Sequence, residues 1–223
     1  QPGYNSRMAY GLTDLLALLD LEPIEKNIFR GQSRDIGTPQ VFGGQVLGQA
    51  LMAAYATVEG RVVHSLHAYF LRRGDFNLPI VYQVDRSRDG SSFSSRRVIA
   101  IQNGAPIFTF SSSFQEPEPG FDHQMQALTV PPPEELASSR DVPADVLAKL
   151  PEKMRRFLEI ERPFELRPVQ KVDYLNPTAQ PPVQQMWFKT IGRLPDDDVL
   201  HRCLLAYVSD YNLLNTAVLP HKT

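Results

Sequence analysis

The sequence predicts an α+β fold in which a long buried helix lies against one face of an antiparallel sheet. Two observations predict it. The stretch Val41 to Val58, VFGGQVLGQALMAAYATV, holds no charged side chain. After it comes a run of β-rich segments punctuated by hairpin signals. Within the stretch, Val46, Leu47, Ala50, Leu51, Ala54 and Val58 recur at helical spacing, and the other sides are mostly Gly and Ala. A helix without a polar face is buried. The alternative, a transmembrane span of roughly 20 apolar residues, is poorly served by Gln45, Gln49, Thr57 and the glycines.

The remaining elements follow in order. Leu12 to Leu19 reads as a short amphipathic helix, with Thr13 and Asp14 able to cap it and Glu22-Pro23 closing it. Ile24 to Phe29 reads as one strand, and Arg30 to Gln40 as a loop holding Gly31, Gly37 and Pro39. Past the central helix, Arg61 to Leu71, Ile80 to Ser87, Ser91 to Gln102 and Ile107 to Gln115 read as strands. Arg88-Asp89-Gly90 and the stronger Asn103-Gly104 mark the hairpins. From Glu116 to Pro133 the composition changes: Pro117, Pro119 and Pro131 to Pro133 cluster without a long apolar run, as in an extended linker. Val142 to Ile160 then reads as one or two charged helices broken at Pro151, and Phe164 to Val169 and Val183 to Ile191 as strands. Asp196 to Asp198 place carboxylates at a helix start, where they favour the dipole. Val199 to Leu219 reads as a second long apolar helix.

The strand–helix opening therefore occurs twice. The expected organisation is a first unit over 1–116, a linker with short helices over 117–162, and a second unit over 163–223. A second helix this apolar needs a covering sheet. Either another chain supplies that sheet or this sequence omits it; omission is the expectation, which leaves the second half incomplete in this sequence.

Composition bounds the function. The chain has 223 residues, 42% hydrophobic and 22% charged, with a formal charge of −2. That balance gives no support for a nucleic-acid or membrane-surface partner. A single cysteine, Cys203, excludes an intrachain disulfide and a cysteine-only metal site. A reducing, cytoplasmic setting is the expectation.

Candidate chemistry begins in the second helix. Cys203, Ala206, Asp210, Leu213 and Ala217 share a stripe at spacings of three and four. An aspartate on an apolar stripe is costly unless partnered, and a partly buried one suits a general base that polarises water. The competing reading breaks the helix near Ser209 and makes Asp210 the cap of a new turn; from spacing alone that reading ranks first. His64 and His67, three apart on a strand, face opposite sides and form no metal pair. A structural hydrogen bond within the sheet ranks above catalysis for His64. Gln45 and Gln49, four apart, orient a water or satisfy backbone groups, with structure again the first reading. Gly43, Gly44 and Gln45 open the central helix, where N–H groups point outward. The serine-rich strands contain no nucleophile elbow, and no phosphate-binding glycine motif is present. Arg72-Arg73 and Arg96-Arg97 are able to meet phosphates, but such pairs on strands are usually solvated edges.

A family likeness is carried by IFRGQS (Ile28 to Ser33), QVFGGQVLGQAL (Gln40 to Leu51), VHSLHAYFLRRGD (Val63 to Asp75), RDGSSFSSRRV (Arg88 to Val98), AIQNGAPIF (Ala100 to Phe108) and SFQEPEPGFDHQ (Ser113 to Gln124). RPV at Arg167 to Val169, LPDDD before the second helix, and LLAYVSDYNLLNTAVLPH (Leu204 to His221) continue it. Together these resemble acyl-CoA thioesterase II, in order and over essentially the whole chain. The resemblance implies a double hot-dog fold, each half a long helix wrapped by an antiparallel sheet. It implies hydrolysis of fatty acyl-CoA to free acid and coenzyme A, without a cofactor or metal, in a homo-oligomer (dimer or tetramer). It matches the family's catalytic aspartate to Asp210, which with a Ser or Thr and a Gln holds the attacking water. Those two partners belong to the sheet after this helix and match no residue of this sequence. The strand histidine, here His64, enters as a second catalytic candidate, and Gly43, Gly44 and Gln45 as substrate-binding candidates. A non-catalytic acyl-CoA binding protein and a hot-dog hydratase are the competing readings, since fold alone does not fix chemistry.

Overall fold

The computed structural model describes residues 10–171 and 173–221. Gln1 and Thr223, which bound the outer units expected from sequence, lie outside the described residues. The chain divides into two compact units. Among the described residues, one contains 16–123 and 194–211; the other contains 10–15, 124–171, 173–193 and 212–221. The segment 194–211, assigned from sequence to the second half, thus groups with the first sheet, because its apolar face packs on the central helix.

Helix α1 spans Leu12–Leu19, as the sequence predicts. Strands β1 (Glu22–Glu25) and β2 (Ile28–Gly31) replace the single strand expected over Ile24 to Phe29. The chain reverses at Lys26-Asn27, where Asn27 takes a left-handed conformation with φ of 63°. The hairpin is closed across its ends by Arg30 Nε donating to Glu22 at 2.7 Å. Helix α2 (Gly43–Tyr55) follows, then β3 (Val62–Phe70), β4 (Ile80–Asp89), β5 (Phe93–Gln102) and β6 (Ala105–Gln115).

These six strands form one antiparallel sheet in the order β1-β2-β4-β5-β6-β3. The meander β4-β5-β6 fills its centre, and β3 lies at the far edge. The α2 connection must therefore run from β2 near one edge to β3 at the other, which lays the helix over the sheet. Alternation supplies the matching apolar face. Register sets Val84, Val98 and Phe110 side by side, and next to them Tyr82, Ala100 and Phe108. All six are buried, and they join Val46, Ala50, Leu51 and Ala54 of α2 in one core. Asn103 and Gly104 have φ of 48° and 72°, the two left-handed residues that a tight hairpin between β5 and β6 needs.

Helix α2 meets a second partner on its remaining side. In chain order, the elements after β6 are α3 (Ala144–Leu147), α4 (Glu152–Glu159), β7 (Phe164–Pro168), β8 (Met186–Thr190), α5 (Asp198–Val208) and α6 (Leu213–Val218). Helix α5 lies against α2. Its start is capped as the acidic cluster predicts: the Asp197 carboxylate accepts from the N–H groups of Val199 and Leu200. The single long helix expected over Val199 to Leu219 is interrupted. It stops at Val208, and the chain turns through Ser209 to Asn212, whose φ is 63°. Leu213 and Ala217, the outer members of the expected stripe, are exposed.

The other unit is built on the β7–β8 hairpin, with Phe164 and Leu166 buried beneath it. The proline-rich segment carries no helix or strand from 116 to 132. Its end is pinned to this hairpin: Trp187 Nε1 donates to the Pro131 carbonyl, and Arg167 Nη1 to the carbonyls of Pro133 and Leu136. No helix among the described residues is long and apolar enough to cross a membrane.

Candidate active site at the start of the central helix

The start of α2 lacks an ordinary cap. Phe42 stands at the N-cap with an extended backbone and no oxygen to offer. The acceptor comes instead from far along the chain: the Asp210 carboxylate takes the Gly44 N–H at 2.9 Å. An anion at a helix N-terminus is favoured by the unpaired N–H groups and the dipole. The Asp210 side chain reaches this point because α5 ends at Val208 and the following turn redirects it. It is half-buried. Burial pushes its carboxyl above the ordinary aspartate range, and the Gly44 hydrogen bond only partly offsets this. The break near Ser209 that spacing suggested is real, but the aspartate caps α2 rather than its own turn.

Two glycines make the approach possible. A Cβ on Gly44 would lie 2.1 Å from the Tyr207 carbonyl oxygen, and one on Gly43 would lie 2.6 Å from the Asp210 carboxylate and 2.8 Å from the Phe70 ring. One turn on, Gly48 faces the Cys203 carbonyl at 3.3 Å by the same measure. The Phe42 ring is flanked by Tyr207 and Tyr211, each with its centroid 5.1 Å away. The Gly43 N–H has no acceptor among the described residues.

Asp210 opens into a cavity of about 560 Å³ whose apolar walls include Val41, Val46, Phe70 and Phe108. Gly43 lies on its wall, and Arg72 and Arg73 line it on exposed loop backbone. The sequence alone does not single out Phe70, and it favours a solvated edge for Arg72-Arg73 over a phosphate contact. A usable signal was the fixed order in YFLRRGD, in which the strand runs directly into the arginines.

The other candidates are placed differently. Gln45 and Gln49 are fully buried. Gln45 donates to the Gln32 carbonyl and accepts from the Arg34 N–H, both at 3.3 Å. Gln49 donates to the carbonyls of Leu18 and Gln32 and accepts from the Tyr82 hydroxyl at 2.7 Å. Both amides thus tie the 32–34 loop or α1 to the helix. His64 sits at an irregularity of β3, exposed, with Nε2 2.8 Å from the Ser113 hydroxyl and its ring against Phe93. Phe70, which borders the Asp210 cavity, is six residues further along the strand, about 20 Å at 3.3 Å per residue. The structure brings Gly43, Gly44 and Asp210 together and leaves His64 apart. Cys203 is buried among apolar side chains, which pushes its thiol far up and leaves it inert.

A helix laid over an antiparallel sheet, with a carboxylate at the helix start beside a cavity, is the architecture of a hot-dog protein. Comparison agrees. A solved structure from Alicyclobacillus acidocaldarius, described as a conserved protein with hot dog fold, superposes with a TM-score of 0.68 at 17% identity, over 93% of this chain and 72% of that one. The chain is 44% identical to acyl-CoA thioesterase 2 of Haemophilus influenzae over 95% of its own length and 74% of the relative's. The crystal structure of an acyl-CoA thioesterase II from Mycobacterium marinum matches with a TM-score of 0.69 and 39% identity, over 93% of this chain and 70% of that one. The family model for the acyl-CoA thioesterase N-terminal domain matches residues 30–115, and that for acyl-CoA thioesterase matches residues 154–223. The chain belongs to the acyl-CoA thioesterase family.

Proposed function

We infer that the acyl-CoA hydrolysis of this family runs in this chain through a water activated by Asp210. The observation that carries this is the half-buried carboxylate at the start of α2, its carboxyl raised by burial and facing a cavity that Val41, Phe70 and Phe108 help to line. A carboxylate so placed takes a proton from water as the water oxygen attacks the thioester carbonyl. The negative charge that develops on the carbonyl oxygen is met by a helix-start N–H, for which Gly43 is the donor without an acceptor. Collapse breaks the C–S bond, the proton passes to the departing sulfur, and free fatty acid and coenzyme A leave. No covalent intermediate is needed, because Asp210 holds the nucleophile rather than being it.

The test is release of free thiol from a long-chain acyl-CoA by Asp210→Asn. Asparagine keeps an acceptor for the Gly44 N–H, so the fold is retained. Turnover is expected to fall by roughly 10²–10⁴-fold with little change in KM. Turnover equal to that of the parent protein would remove the base role. Thiol release by the parent also separates hydrolysis from hydration, which leaves the thioester intact. We further infer a cytoplasmic setting, supported by the single reduced Cys203, and a homo-oligomer, supported by the exposed Leu66 and Tyr69 on the edge strand β3.

A further inference from the structure

We propose that Arg72 and Arg73 form the phosphate subsite for the coenzyme A moiety at the mouth of the Asp210 cavity, an inference that rests on the function proposed above. Among the residues lining that cavity, the charged ones are Asp210, Arg72 and Arg73. The carboxylate is engaged by the Gly44 N–H. The mouth is therefore a local concentration of positive charge in a chain whose formal charge is −2. Coenzyme A carries a diphosphate and a further ribose phosphate at the end of the molecule remote from its sulfur. An entrance of this sign, with the carboxylate and the Phe70 and Phe108 walls inside it, orients such a thioester sulfur-first.

The loop that presents the arginines is held in place, unlike a freely solvated edge. The Leu71 and Arg72 N–H groups both donate to the Ile107 carbonyl, at 2.8 and 3.1 Å. Arg72 Nη1 donates to the Pro106 carbonyl at 2.6 Å, which fixes its guanidinium while leaving other donors of the fork available. Gly74, just after the arginine pair, accepts the Val41 N–H at 3.0 Å, and a Cβ there would press on the Val41 side chain at 3.1 Å. This ties the arginine loop directly to the entry of α2. Gln102, a buried amide at the end of β5, completes the anchor. It accepts from the Asp75 N–H and donates to the carbonyls of Asp75 and Leu78. Arg73 itself has no hydrogen-bond or ion-pair partner among the described residues. An arginine with unspent donors, carried on an anchored loop, is a group that recognises phosphate oxygens in a bidentate way.

The second arginine pair of the sequence is a contrast. Arg96 is buried and spends its guanidinium on the Thr57 hydroxyl and carbonyl, the Arg88 and Ser95 carbonyls, and Asp89. Arg97 faces Asp85 at 3.8 Å. Arg96 thus holds β4 and β5 to the end of α2 and has little left for a ligand, and the charge of Arg97 is paired with Asp85.

The experiment is calorimetric binding of coenzyme A and of pantetheine, which shares the thiol arm but lacks the nucleotide and its phosphates. The parent protein is expected to prefer coenzyme A. In Arg73→Ala the ratio of the two dissociation constants should move toward pantetheine by roughly 10- to 100-fold, and Arg72→Ala/Arg73→Ala should move it further. Arg73→Lys should recover part of the preference, because an ammonium supplies the charge without the fork. Equal affinity of the parent for both compounds, or an unchanged ratio in Arg73→Ala, would overturn the proposal. Binding is read without turnover, so failure of the Asp210 base role would show in thiol release while leaving this result interpretable.

Discussion

Helices α2 and α5 lie side by side in one unit, yet they solve the burial problem differently. Eleven of the thirteen residues of α2 are buried, against five of the eleven in α5. Helix α2 is covered by the sheet on one side and by α5 on the other, whereas α5 leaves Leu205 57% exposed. Helix α2 starts on two glycines and borrows its cap from a distant residue. Helix α5 starts on its own aspartate, Asp197, and ends early so that Asp210 can supply that borrowed cap. The lesson is that the site is a product of helix–helix approach: remove the glycines or the break after Val208, and the carboxylate no longer meets the helix start.

The comparison yields substitutions of graded effect. The largest is expected for Gly44→Val, whose side chain collides with the Tyr207 carbonyl, main chain that cannot swing aside. Overpacking of this kind costs about 3 kcal/mol. For a chain of this size that lowers the melting temperature by roughly 6–12 °C, and thiol release should be lost in the same variant. A melting temperature unchanged in thermal unfolding would mean that the two helices are not in contact. Asp197→Ala acts on α5 alone. It removes the acceptor for Val199 and Leu200 and should cost about 1 kcal/mol, read as a shift of a few degrees. Gly48→Ala sharpens the contrast with Gly44, because its Cβ would meet Leu19 at 3.1 Å and the Cys203 carbonyl at 3.3 Å. The gain of about 1 kcal/mol from replacing a helical glycine opposes that crowding, so denaturant unfolding should show a net change within about 1 kcal/mol of zero.

The smallest effect expected on stability is that of Asp210→Asn, and its sign is informative. The Asp210 carboxyl is raised in the folded state, chiefly by burial. Its contribution to stability is therefore complete below the unfolded-state pKa and is lost as pH rises through the folded-state pKa. At neutral pH the charged side chain works against folding, so Asp210→Asn should be no less stable than the parent. The difference should vanish once pH falls below the ordinary aspartate range. A clear loss of stability at neutral pH in thermal unfolding would show that the Gly44 hydrogen bond outweighs the cost of burial.

Much of this architecture is legible locally. The uncharged stretch around Ala50 marks the buried helix, Asn103-Gly104 marks the central hairpin, and Asp197 marks the start of α5, because periodicity and turn chemistry act over a few residues. The split of β1 from β2 is not legible, because it depends on Asn27 adopting a left-handed turn without a glycine. The interruption of the second helix depends in the same way on Asn212, with no proline or glycine between Ser209 and Asn212. The site was half legible. Asp210 and the glycines stand out singly, as an acid on an apolar stripe and as small residues at a helix start. Their meeting is not encoded in any spacing, since Gly44 and Asp210 are 166 residues apart. Gln45 and His64 share residue types with catalytic groups, but only their surroundings show that one ties down a loop and the other sits on an exposed strand.

The most direct test of the account is the pH dependence of kcat/KM for acyl-CoA hydrolysis, measured by thiol release in the parent protein and in Asp210→Asn. The parent should show a one-proton acid limb placed above the ordinary aspartate range, with activity lost as pH falls through it. The residual activity of Asp210→Asn should lack that limb. A limb in the ordinary aspartate range, or the same limb surviving in Asp210→Asn, would contradict a half-buried Asp210 as the base that activates water.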